Sequence, residues 1–232
     1  MSTVSETPRT SRFPPFHNGD RMTRAEFHSI YDKMPEDCRA ELVGGVVYYV
    51  ASPLKRPHGK GHLHLSNILA TYEAHTPGTE ALDNATILLG DDGEPQPDLL
   101  LRILPEHGGQ TQTTDDEYVA GMPEFVLEVA ASSRSIDLHD KYDDYRRYGG
   151  LEYLVVCVED QQIHWFDLRT DSELKIDNDK VLRSHTFPGL WIDTEALWAG
   201  NLLQLQATLQ QGLATAQHAE FAKKLAAHRR SE

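Results

Sequence analysis

The segment PEFVLEVA, residues 123–130, constrains this chain more than any other. Phe125, Val126, Leu127 and Val129 are the residues of a buried strand, yet Glu128 stands among them. Successive strand side chains point to opposite faces, so Glu124, Val126, Glu128 and Ala130 share one face, and Phe125, Leu127 and Val129 the other. Both faces carry apolar residues, which predicts a strand internal to a sheet. An ionised carboxylate in such a place is strongly unfavourable unless something compensates its charge.

The surrounding pattern supplies the sheet and its covering helices. Thr23 followed by Glu26 fits a capping box that opens a helix through about Tyr31. ELVGGVVYYV reads as a hairpin turning on Gly44-Gly45. After the loop SPLKRPHGKG, the segment HLHLSNILATYEAH sets Leu65, Ile68, Leu69 and Tyr72 on one helical face. TEALDNATILLG and PDLLLRIL are strands, and a polar stretch then crosses the surface to PEFVLEVA. Asp137 can cap the helix DLHDKYDDYRRYGG, whose apolar stripe is Leu138, Tyr142 and Tyr145 and which Gly149 and Gly150 stop. LEYLVVCV and QQIHWFDL form a strand pair, and VLRSHTFPGLWID adds a short strand and a tryptophan corner. From Thr194 the pattern is helical through Leu197, Leu202, Leu205 and Leu209.

Strands and helices alternate irregularly, so the expected class is α/β (α+β), a mixed sheet flanked by helices. The expected organisation is a flexible tail over 1–21, one domain over 22–199 and a helical extension over 200–232. Leucines exposed on that extension would make a homodimer contact.

Hydrophobic residues at 39% and charged residues at 25% exclude a disordered chain. The longest apolar run, LEYLVVCV, is too short to cross a bilayer, and the first twenty residues lack the apolar core of a secretion signal. Cys38 and Cys157 have no metal-type spacing, so a cytoplasmic protein without a membrane partner is expected. The net charge of −14 opposes contact with nucleic acid, whose affinity comes largely from phosphate neutralisation. Local basic clusters (Lys55, Arg56 and Lys60; Arg134; Arg146 and Arg147) oppose that objection, because a local patch can outweigh the total.

Three positions form a chemical kit. Asp98 starts the strand in QPDLLLR, Glu128 interrupts the next strand, and Lys141 lies at the edge of the apolar stripe of the following helix. Each also has a plain structural reading: a turn aspartate, a glutamate paired with arginine, a lysine snorkelling from the helix. Together, two carboxylates from adjacent strands suit Mg²⁺ or Mn²⁺, and a lysine beside them can stabilise charge on a phosphate in reaction. Other chemistries lack support. The serines at 132, 133 and 135 have no nucleophile-elbow setting, no phosphate-cradling GxxxxGK[ST] is present, and His62 and His64, two apart on a helix, are expected to face solvent.

These residues fall in an ordered set of motifs: ELxxG at 41–45, SP…HG at 52–59, QPD at 96–98, PExVxEV at 123–129, DxxxKxxxY at 137–145, EYxVV at 152–156 and FPGLWxD at 187–193. In order and spacing the set resembles the PD-(D/E)XK nuclease superfamily, and within it the restriction endonucleases of the Uma-two family, over about Met22 to Ala199. The resemblance implies a restriction-endonuclease-like core and endonuclease hydrolysis of nucleic-acid phosphodiesters, DNA favoured, with Mg²⁺ or Mn²⁺. It implies Asp98 and Glu128 as metal carboxylates and Lys141 as the catalytic lysine, since the superfamily's usual lysine position is Ala130 here. Glu41 and His58 match further family positions, and Lys55, Arg56, Lys60 and Arg134 would contact nucleic acid. The alternative is a catalytically silent binding or assembly protein on the same fold.

Overall fold

The computed structural model describes residues 16–35, 38–49, 55–131, 133–176 and 178–228. Residues 1–15 of the expected tail, Ser52 and Pro53 of the SP…HG loop, and Ser132 lie outside the described residues. Helix α1 (Arg24–Tyr31) opens with the expected capping box, Thr23 and Glu26 each accepting from the other's backbone amide. Strands β1 (Ala40–Val43) and β2 (Val46–Tyr49) pair antiparallel. Gly44 and Gly45 hold φ of 56° and 75°, the positive values that a type I′ hairpin requires at both central positions. Leu42 turns into a small apolar cluster with Phe16, Phe27, Ala40 and Val47. By alternation, Glu41 points the opposite way, toward the main body.

That body begins with α2 (Arg56–His75) and β3 (Thr79–Asp83), followed by β4 (Leu99–Ile103) and β5 (Phe125–Glu128). Helices α3 (Arg134–Leu138) and α4 (Asp140–Arg147) lead to β6 (Glu152–Cys157), β7 (Gln162–Asp167) and β8 (Ser172–Glu173). The sheet runs β8-β7-β6-β5-β4-β3. Its β5–β6 pair is parallel and its other pairs are antiparallel, giving a mixed sheet. Parallel neighbours need a crossover, and here that crossover is α3 and α4. The two faces of β5 separate as alternation requires. Phe125, Leu127 and Val129 join Leu65, Ile68, Leu69 and Tyr72 of α2 in one core. Val126 and Ala130 join Tyr145 and Tyr153 in the other.

Several local expectations are corrected. Helix α2 starts at Arg56 and absorbs much of the expected loop, because Pro57 in its first turn gives up an amide that has no intrahelical partner there. The last strand is a hairpin, Val181–Arg183 pairing with Trp191–Asp193. The polar stretch before β5 contributes Val119–Ala120, which pairs parallel with Ile87–Leu88. Helices α5 (Thr194–Ala199), α6 (Leu202–Leu213) and α7 (Ala216–His228) follow. Leu197, Leu205 and Leu209 enter the α2 core, while Leu203 of α6 stays exposed. Among the described residues no helix is long and apolar enough to cross a membrane.

One buried carboxylate anchors the far end of β6. Glu152 is fully buried and accepts from Trp165 Nε1 (2.9 Å), Ser184 Oγ (2.9 Å) and the amides of His185 (2.7 Å) and Thr186 (2.6 Å). Glu152→Ala strands four donors, each costing about 1–3 kcal/mol when left buried and unpaired. A loss of at least about 3 kcal/mol in urea unfolding is expected; a loss under about 1 kcal/mol would show that water satisfies these donors.

Candidate active site

Strand β5 pairs with β4 in the register Leu99↔Leu127. That register sets Asp98, just before β4, against Glu128 at the end of β5. Backbone amides cross-link the two: Asp98 Oδ2 accepts from the amide of Val129, next to Glu128, at 2.7 Å, and Glu128 Oε2 accepts from Asp98 N at 3.3 Å. Glu128 is 5% exposed. The Asp98 side chain keeps 19% of its surface and is the more open of the two.

Lys141, in the first turn of α4, reaches back across the face that Ala130 leaves uncrowded. Its Nζ lies 2.8 Å from Glu128 Oε1, 2.9 Å from Glu41 Oε2 and 3.6 Å from Asp137 Oδ1. Tyr145, one turn further along α4, donates to Glu128 Oε1 at 3.2 Å. Glu41 arrives from the β1–β2 hairpin and accepts from Gln96 N at 2.7 Å. Three separate segments therefore converge on one ammonium.

Asp137 is the member that sequence reasoning missed. It was expected as a helix cap, but Ser133 occupies that position and Asp137 lies inside α3, 1% exposed. The expected stripe is kept, Leu138, Tyr142 and Tyr145 packing on one core. A break at His139 (φ −125°, ψ −74°) separates α3 from α4, and Lys141, Asp144 and Tyr145 are the buried residues of α4. Among the described residues no well-aligned hydrogen bond reaches either carboxylate oxygen of Asp137. The available signal was the i, i+4 spacing from Asp137 to Lys141, which brings two side chains together on a helix.

Three carboxylates (Glu41, Glu128, Asp137) contact one ammonium, and Asp98 lies beside Glu128, a surplus of negative charge. Burial pushes the Glu128 carboxyl well above its usual range, with Lys141 only partly opposing it and the neighbouring acids adding to the rise. Burial likewise raises Asp137. For Lys141 burial favours the neutral amine, but Glu128, Glu41 and Asp137 together prevail and hold the ammonium well above its ordinary pKa. A divalent cation would relieve the surplus. Mg²⁺ and Mn²⁺ bind through one or two carboxylates with waters completing the shell, so the Asp98–Glu128 pair fits such an ion. Among the described residues no cluster of three or more His, Cys, Asp or Glu side chains is gathered for a metal.

The other expected contacts divide. His58 is in the first turn of α2, its Nε2 4.0 Å from Asp98 Oδ1. His62 stacks parallel to it and contacts the Asp98 carbonyl at 3.3 Å, while His64 is buried, so neither points freely to solvent as expected. Lys55 and Arg134 stand near the same strand ends, paired with Glu159 and Asp160. Arg56 is exposed. Lys60 lies against Gly200, where any Cβ would collide with its Nζ, and so is directed to the α5–α6 junction.

The mixed sheet with helices on both faces, and acidic strand ends facing a helix-borne lysine, define a restriction-endonuclease-like nuclease fold. The chain matches the Uma2 family, described as "Putative restriction endonuclease", over residues 24–195, and it belongs to that family. A crystal structure described as a "putative nuclease" from Anabaena variabilis superposes with a TM-score of 0.59 at 12% identity, covering 74% of this chain and 97% of that one. At that identity the likeness bears on the fold. No curated protein matches the sequence.

The raised Asp137 carboxyl has a consequence for stability. A group whose pKa is higher folded than unfolded contributes stability that is full below its unfolded value and is lost as pH rises through the folded value. Asp137→Asn removes that share. In metal-free protein the fall in unfolding free energy above about pH 4 should be shallower than in wild type. Urea unfolding at a series of pH values checks this, and an equally steep fall would mean that Asp137 is ionised in the native state.

Proposed function

We propose that this protein is a divalent-metal-dependent endonuclease that hydrolyses nucleic-acid phosphodiester bonds, with DNA the favoured substrate. The observation that carries the reading is the contact of Lys141 with Glu128, beside Asp98, at the ends of adjacent strands. Asp98 and Glu128 would hold Mg²⁺ or Mn²⁺. The bound ion supplies Lewis acidity toward a phosphate oxygen and a lowered pKa for attacking water. Lys141, kept as an ammonium by its three carboxylates, stabilises negative charge developing on the phosphate. Glu41 holds that ammonium from the hairpin side, and Tyr145 orients Glu128. His58, beside Asp98, would contact the substrate phosphate, and Lys55 and Arg134 its backbone.

Cleavage of a DNA substrate with Mg²⁺ or Mn²⁺ should fall about 100-fold or more in Asp98→Ala, Glu128→Ala and Lys141→Ala. Equal residual cleavage in wild type and variants would identify contamination and end the proposal. The net charge of −14 favours a second reading, a silent nuclease-fold binding or assembly protein. Calorimetry with Mn²⁺ separates the two. Binding that disappears in Asp98→Ala and Glu128→Ala supports the enzyme, and binding indifferent to both supports the silent protein.

A further inference from the structure

Two of the basic side chains nearest the site are already occupied. Lys55 Nζ meets Glu159 Oε1 at 2.8 Å, and Arg134 Nε meets Asp160 Oδ2 at 3.3 Å. Both acids lie between β6 and β7, consecutive in sequence, while their partners come from elements far apart in the chain. Lys55 precedes α2 by one residue, and Arg134 opens α3. The place is the rim of the candidate active site. His58, one turn beyond Lys55, faces Asp98, and Asp137, three residues beyond Arg134, faces Lys141. Gly61 brings α2 close to Val129 and Val158, at the ends of β5 and β6, where a Cβ would lie 3.7 and 3.6 Å from their side chains. All four paired side chains are roughly half exposed or more.

We propose that Glu159 and Asp160 act as a built-in phosphate mimic, holding Lys55 and Arg134 in the positions where they receive the backbone phosphates of nucleic acid. Each carboxylate presents to its cation the same anionic oxygens that a phosphate would. Exposed ion pairs add little net stability because water and salt screen them, so phosphates displace the carboxylates at small cost. The displaced acids then remain beside the bound strand and weaken it. The turn thereby sets affinity, admitting a ligand that presents at least two phosphates at once over a lone anion. The inference rests on the nuclease reading for the identity of the ligand but concerns binding and not hydrolysis.

The test is fluorescence anisotropy of a labelled DNA duplex with the full chain in EDTA, over a series of salt concentrations. Glu159→Gln/Asp160→Asn should bind about threefold to tenfold tighter at low salt, the gain shrinking as salt screens the carboxylates. Lys55→Gln/Arg134→Gln should bind more weakly, with a salt slope lower by about two. The charge-matched control is Asp115→Asn/Asp116→Asn, exposed acids on the segment between β4 and β5. Equal tightening in the control would reduce the effect to net charge and overturn the proposal. So would an unchanged dissociation constant in Glu159→Gln/Asp160→Asn. Cleavage by the same proteins with Mg²⁺ keeps the two readings apart: cleavage without the expected binding changes sinks the mimic alone, and the binding changes without cleavage sink the nuclease reading alone.

Discussion

A lysine ammonium enclosed by carboxylates organises this molecule. Glu128 is carried inward by a strand whose other residues must be buried, and no cation exists within reach on its own strand. Lys141 meets it from the first turn of α4, just after a break at His139. The same ammonium draws in Glu41, which ties the β1–β2 hairpin and its small separate core to the main sheet. Buried ion pairs are seldom more stabilising than apolar packing of equal volume, because desolvation offsets most of the attraction. The enzymatic reading proposed above gives such a pair, at the convergence of three chain segments, a use other than stability.

The other buried glutamates show what a structural carboxylate looks like in the same sheet. Glu124, four residues before Glu128, accepts from the amides of Ile103 and Gln110. Glu152 is surrounded by an indole, a hydroxyl and two amides. Those partners are neutral donors fixed by the fold, and they satisfy the oxygens without a mobile charge. Glu128 instead shares its oxygens with an ammonium, a phenol and the amide of another acid. The type of partner, more than burial, separates an anchoring carboxylate from one available to a cation.

The acidic composition takes a different meaning at this rim. Net charge describes the far field, whereas contact with phosphates depends on cations within a Debye length of about 8–10 Å. Lys55 and Arg134 sit within that range of the acids that pair with them, and on the proposed reading they form a cationic rim that is neutral until a ligand competes for it. Lys60, counted with them in the sequence, turns away to cover Gly200. Linear clustering of basic residues is therefore a poor guide to a patch, because neighbours on a helix diverge by about 100°.

The strand faces of PEFVLEVA, the Gly-Gly hairpin, the capping box and the helix stripe of Leu65, Ile68, Leu69 and Tyr72 were legible in sequence. Each depends on periodicity or a local turn, and such patterns involve residues a few positions apart. The pair Asp98 and Glu128 and the reach of Lys141 were legible too, through strand order and the vacancy at Ala130. Asp137, His62 and His64 were misread, because their surroundings come from strands and helices distant in the chain. Thus the sequence by itself determined which segments are strands and helices, and which acids had to be compensated. Only the tertiary structure decided which charges meet, since a pairing over 3 Å depends on register, crossover and one helix break that no local pattern encodes.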